Sequence, residues 1–113
     1  MKEIKAYIKP HMLSRVAMAL HGLEGLTGLS VGKVQGFGRG RARGEPRRIV
    51  EDQVEYVPHV RLELFCRDDM ADGIVALIQE NAHTGLKGDG KIYVSEVLEA
   101  VRISTGERGA PAV

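Results

Sequence analysis

Arg61-Leu62-Glu63-Leu64-Phe65-Cys66-Arg67-Asp68-Asp69-Met70-Ala71-Asp72-Gly73-Ile74-Val75-Ala76-Leu77-Ile78 changes its hydrophobic period midway, and that change decides the fold. Up to Leu64, polar and apolar residues alternate, the signature of a strand with one buried face. Beyond Arg67 the apolar residues Met70, Ile74, Val75, Leu77 and Ile78 recur at helical spacing. A strand over roughly Tyr56 to Cys66 therefore runs into a helix, with Asp68 or Asp69 as its cap.

The same alternation of periods occurs upstream. Ile4, Ala6 and Ile8 share one face of a first strand, Glu3 to Lys9, which Pro10 closes. From Met12 to about His21, Leu13, Val16, Ala17 and Leu20 mark a helix that the Gly22 and Gly25 region ends. A second strand runs from Leu29 towards Phe37 on Leu29, Val31 and Val34, with its phase slipping near Gly32. Downstream, Ile92 to Val97 forms a fourth strand and Ala100 to Ile103 a short edge strand. The order β-α-β-β-α-β predicts an α+β, ferredoxin-like sandwich, two helices covering one face of an antiparallel sheet. Should the opposite face be substantially apolar, oligomerisation would bury it.

A length of 113 residues suits one compact domain with a modest core, too small for a large substrate-enclosing enzyme. Sixteen basic and fifteen acidic residues leave a formal charge of +1, which argues against a general nucleic-acid binder. No apolar run approaches membrane-crossing length and the N-terminus has no signal-peptide core, so a cytoplasmic location is expected. Cys66 is the only cysteine, excluding an intrachain disulfide, and its apolar neighbours predict packing rather than redox chemistry. His11, His21, His59 and His83 form no short-range metal pattern.

Two segments carry chemistry. Thr84-Gly85-Leu86-Lys87-Gly88-Asp89-Gly90-Lys91 places three glycines, a carboxylate and two lysines immediately before the fourth strand. Its amides and ammonium groups suit phosphate oxygens, and Asp-Gly equally suits a turn with no ligand. It matches neither the P-loop nor the G-x-G-x-x-G pattern. The second segment, Gly36 to Val57, is long for a hairpin connection. It mixes Arg39, Arg41, Arg43, Arg47 and Arg48 with Glu45, Glu51, Asp52 and Glu55, as a partner-contact loop or a soluble protrusion would.

The opening M-K-E-I-K-A-Y-I-K-P resembles that of the PII family of nitrogen-regulatory signal proteins. So do G-F-G-R at Gly36 to Arg39, the strand after Pro58, T-G-L-K-G-D-G-K-I-Y at Thr84 to Tyr93, and R-I-S-T-G-E at Arg102 to Glu107. The resemblance spans nearly the whole chain. It implies one PII-like domain over residues 1–113, a flexible T-loop over 36–57 and a C-terminal tail over 107–113. It also implies a homotrimer with adenine nucleotides between neighbouring subunits. Gly36, Phe37, Gly38 and Arg39 would lie beside the T-loop root, and Ser30 and Glu63 near the nucleoside. Gly88, Asp89, Gly90 and Lys91 would form the phosphate-binding B-loop, joined by Arg102.

Three departures bear on the ligand and a fourth on covalent control. Gly40 stands where relatives commonly carry a glutamine that organises magnesium, ATP and 2-oxoglutarate, which leaves the roles of magnesium and 2-oxoglutarate open here. His59 replaces a common lysine with a less dependable positive charge, which bears likewise on 2-oxoglutarate, and Ser104 replaces a second C-terminal arginine, which weakens the case for a triphosphate over ADP or AMP. Asp52 occupies the position of the tyrosine uridylylated in many bacterial relatives. The combined expectation is a non-enzymatic sensor of ATP or ADP, with AMP as a further candidate. It would act through the T-loop on a membrane transporter or a metabolic enzyme, in nitrogen metabolism or in bicarbonate or metal transport. The weighed alternatives are a small nucleotide-processing enzyme, for which no triad or metal-ligand spacing exists, and a nucleic-acid module, for which the loop lacks stacking aromatics.

Overall fold

The computed structural model describes residues 1–36 and 57–113. Strand β1, Lys2–Ile8, leads through a single 3-10 turn, Pro10–Met12, into helix α1, Leu13–His21. Strand β2, Ser30–Gly36, and strand β3, Val57–Cys66, follow. Helix α2, Asp68–Ala82, and strand β4, Gly90–Glu96, complete the order β-α-β-β-α-β. The sheet runs β2-β3-β1-β4 with every neighbouring pair antiparallel, the ferredoxin-like arrangement.

The alternation in β1 and β3 determines which face is covered. Lys2 to Ile8 register against Cys66 to Val60, so Ile4, Ala6 and Ile8 lie beside Leu64, Leu62 and Val60 on one face. Val16 and Leu20 from α1 and Ala71, Ile74, Ile78 and Ala82 from α2 close over them. Each large aliphatic side chain buried here contributes about 1.5–3 kcal/mol relative to exposure. Cys66 belongs to this cluster, and burial pushes its thiol above the ordinary value. It packs, as its apolar neighbours predict.

The opposite face is polar and aromatic rather than apolar. Lys5 pairs with Glu63 and Tyr93 across the sheet, Tyr7 with Arg61 and Lys91, and the Tyr7 and Tyr93 rings meet edge to face at 6.2 Å.

Several local expectations are corrected. Helix α2 takes Arg67, in extended conformation, as its N-cap without a side-chain bond, so neither Asp68 nor Asp69 caps it. Both aspartates sit in the first turn, favourable to the helix dipole. Asp68 accepts from the Met1 amino group at 2.6 Å, and Asp69 pairs with Arg67 at 3.3 Å. Strand β2 pairs continuously from Ser30 opposite Glu63 to Gly36 opposite Val57, without a slip at Gly32. The apolar irregularity reflects an edge strand, where Val31 is half exposed.

No strand forms over Ala100 to Ile103, because the chain turns back at once. A single bridge joins Val101 to Arg108, and the Gly106 amide donates to the Arg102 carbonyl at 2.8 Å. Within the C-terminal tail expected over 107–113, Ala110–Ala112 makes a 3-10 turn whose Pro111 carbonyl accepts from Arg102 at 3.0 Å.

Ile74 is fully buried between both helices and the sheet. Ile74→Ala is expected to lower stability by about 2–5 kcal/mol, read as a lower urea midpoint at unchanged m-value.

Candidate functional site

The glycine-rich turn is built around Asp89. One carboxylate oxygen accepts from the Thr84 amide at 2.9 Å and the other from the Thr84 hydroxyl. Lys9 Nζ lies 3.2 Å from the same carboxylate and donates to Thr84 Oγ1 at 3.1 Å, while His83 Nδ1 lies 3.4 Å away. Thr84 Oγ1 also accepts from the Leu86 amide at 3.1 Å, which uses its second lone pair. The Thr84 hydroxyl and amide, with desolvation opposing them and Lys9 assisting, hold the Asp89 carboxyl well below the usual carboxylate range. Asp89 therefore serves the turn itself, with both oxygens occupied by the protein.

The backbone is equally constrained. Gly88 and Gly90 adopt φ of 84° and 104°, a region that side chains rarely enter. At Gly90 a Cβ would lie 1.6 Å from the Tyr7 carbonyl oxygen, so only glycine permits β4 to begin opposite Ile8. Lys91 follows, exposed, in register with Tyr7. His59 reaches the turn from β3: its Nε2 is 3.4 Å from the Gly88 carbonyl oxygen and its Nδ1 3.2 Å from that of Val57. Since Gly36 pairs with Val57, the end of β2 is brought to the same side as the turn.

The remaining candidates lie elsewhere. Ser30 and Glu63 are cross-strand partners, but Ser30 is six residues from Gly36, about 20 Å along β2. Ser30 instead lines an open cavity of about 430 Å³ with Leu29, Phe65, Val101 and Val113. Arg102 stands in the adjoining C-terminal turn, with Nη1 3.2 Å from Glu107 Oε1. One chain thus assembles two groups, the turn with Gly36, and Ser30 with Glu63 and the C-terminal segment. Phe37, Gly38 and Arg39 lie outside the described residues, as does most of the loop assigned to residues 36–57.

Lys9 and Thr84 were not among the candidates. Thr84 was visible as the first residue of the turn, whereas nothing local to Lys9 signals a contact eighty residues away. Among the described residues no cluster of three or more His, Cys, Asp or Glu could hold a metal ion. Among them, too, no helix is long and apolar enough to cross a membrane.

An antiparallel α+β sandwich with a glycine-rich, lysine-flanked turn at one end of its sheet defines the class. The family described as Nitrogen regulatory protein P-II matches residues 1–107. Relatives of that description from Azospirillum brasilense and Rhodospirillum rubrum are 43% and 44% identical over 113 residues, the full length of both chains in each case. The crystal structure of Arabidopsis thaliana PII bound to citrate superposes with a TM-score of 0.80 at 33% identity, over 99% of this chain and 91% of that one. The chain belongs to the nitrogen regulatory protein P-II family, whose members act in signal transduction rather than as enzymes.

Two substitutions test how the turn is held. Gly90→Ala is expected to cost about 3 kcal/mol or more, from the clash with Tyr7 and the left-handed backbone, seen as a lowered thermal midpoint by circular dichroism. A carboxyl depressed in the folded state contributes stability above its unfolded value, lost as pH falls through the folded one. Asp89→Asn should therefore be less stable than wild type at pH 5 and should lose less further stability between pH 4 and pH 2, as measured by urea unfolding.

Proposed function

We propose that this protein senses adenine nucleotides and, through their occupancy, controls a membrane transporter or a metabolic enzyme. The observation that carries the reading is the internal satisfaction of Asp89. Its negative charge is consumed by Thr84 and Lys9, so the one acid of the turn does not repel an anion. Around it the glycine backbone at Gly88 and Gly90 permits close main-chain approach, and Lys91 supplies an exposed ammonium group.

The ligand is proposed to lie between subunits of a homotrimer. The separation of the turn from Ser30, Glu63 and Arg102 within one chain supports this, because a neighbouring copy would bring the two groups to one ligand. Exposed apolar residues support assembly as well: Leu98 and Ile103 are 93% and 100% exposed. That an Arabidopsis relative was crystallised with citrate agrees with a fold that takes small polyanions.

ADP or ATP is the proposed regulatory ligand and AMP the next candidate, since Ser104 offers no second guanidinium beside Arg102. Ligand that binds one state of residues 37–56 better than another would shift their populations and so change the surface presented to the partner. The site of action proposed is the cytoplasm, and no nucleic-acid partner is included.

Calorimetry on the native oligomer with ATP, ADP and AMP, each with and without magnesium and 2-oxoglutarate, tests the reading. At least one nucleotide is expected to bind, and Lys91→Ala and Arg102→Ala should each weaken it about tenfold or more, the worth of one charge-assisted contact. Failure of all three nucleotides to bind would overturn it.

A further inference from the structure

His59 places both ring nitrogens against main-chain carbonyl oxygens, Nδ1 at 3.2 Å from Val57 and Nε2 at 3.4 Å from Gly88. Carbonyl oxygens only accept, whereas a neutral imidazole has one N–H and one lone pair. In the neutral form, therefore, one of the two contacts sets lone pair against lone pair. The imidazolium donates to both. We propose that His59 is a proton-gated tie that joins the start of β3 to the glycine turn, so that its protonation steadies the turn and strengthens its hold on a phosphate-bearing ligand. The second half of this proposal rests on the nucleotide reading above, and the first half does not.

The surroundings permit such a switch. Following β1, Lys9 approaches Gly88, but its ammonium is engaged by Asp89 and Thr84. From the turn come Lys87 and Asp89, the latter offset by Lys9. Lys91 of β4 and Arg61, two residues on along β3, share the open face of the sheet with His59. On β2 the registered partner is the apolar Val34, with Lys33 next to it in the strand. His83 meets Asp89 from the end of α2. The nearby lysines and Arg61 oppose a further positive charge, and the two carbonyl oxygens favour it. Imidazole is the side-chain type whose charge change falls between about pH 5 and pH 8. A lysine at this position would hold its charge throughout that range and could not report pH.

Histidine also differs from lysine in what it joins. Val57 and Gly88 are thirty-one residues apart, and the ring spans them as a rigid planar bridge. A turn anchored on one side by Asp89 and on the other by His59 presents Gly88 and Lys91 in one arrangement, which reduces the ordering cost when an anion arrives.

Carbonyl carbon shifts of Val57 and Gly88, followed by NMR on the full-length oligomer from pH 5 to pH 8.5, read the tie directly, with the His59 ring nitrogens observed in the same samples. In wild type both carbonyls are expected to move with the His59 midpoint. In His59→Gln, which keeps a polar side chain on the strand, that movement should vanish, while in His83→Gln it should persist. A Gly88 carbonyl that does not follow His59, or that still titrates in His59→Gln, overturns the tie.

Calorimetry with ADP at pH 8 and pH 6 reads the consequence. Wild type should gain affinity relative to His59→Gln by about threefold or more, the effect of a half-unit pKa difference between free and bound states. The variant cancels the ionisation of the phosphate itself. Equal pH dependence in the two proteins overturns the linkage to binding. If the carbonyls titrate together but no adenine nucleotide binds at either pH, the tie stands and the nucleotide reading falls. If ADP binds and the carbonyls do not move, the opposite holds.

Discussion

The carbonyl of Tyr7 and the backbone of Gly90 approach so closely that no side chain fits between them. β1 is an inner strand, paired on one side with β3 and on the other with β4, and this contact is where β4 begins. Beyond Ile8 the chain continues to Lys9, whose ammonium lands on Asp89 and Thr84. The contact that closes the sheet thus also sets a lysine against the turn. Scaffold and candidate site share the same contacts at the start of β4. A substitution at Gly90 would disturb both at once.

The elements that build the scaffold were legible because each is amphipathic in its own period. Arg61 to Leu64 alternates, Met70 to Ile78 follows the helix, and Ile4, Ala6 and Ile8 name the covered face directly. What was not legible depends on contacts between distant residues. Asp68 had the composition of a cap, yet it is the first helical residue and spends its carboxylate on the Met1 amino group. Ala100 to Ile103 had the composition of a strand, yet Glu107 and Gly106 turn the chain back before a second strand can pair. Ala71 and Ala82 complete the buried stripe of α2 without enough apolar surface to announce it. At the site, the turn itself was readable from its glycines, whereas the division of labour within it was not. In sequence Asp89 belonged to a segment readable as a phosphate-binding loop or as a structural turn, and its contacts with Lys9 and Thr84 are visible only in three dimensions.

Charge decides how such a turn treats an anion. An unpaired aspartate amid phosphate oxygens would oppose binding. Here its carboxylate accepts two hydrogen bonds from Thr84 and pairs with the Lys9 ammonium. Desolvation works against the charged form, but the hydrogen bonds outweigh it and hold the carboxyl below the usual carboxylate range. The turn consequently combines an acid, needed to hold its shape, with a surface on which lysine charge prevails.

Arg102 is placed in the opposite condition, and the comparison bears on how a ligand would be received. Its guanidinium already meets Glu107 at 3.2 Å and the Pro111 carbonyl at 3.0 Å, so an incoming phosphate would have to compete for it. The competition is uneven. An ion pair with both side chains nearly half exposed contributes about 0–1 kcal/mol, whereas a forked guanidinium to phosphate contact is charge-assisted and geometrically matched. Displacing Glu107 would thus cost little, and would also release the Pro111 contact that folds the C-terminal turn inward. With Ser104 in place of a second guanidinium, the exchange falls on Arg102 alone. An anion drawn to Arg102 would therefore compete with the contact that holds Ala110 to Val113 inward, at the end of the sheet remote from the glycine turn.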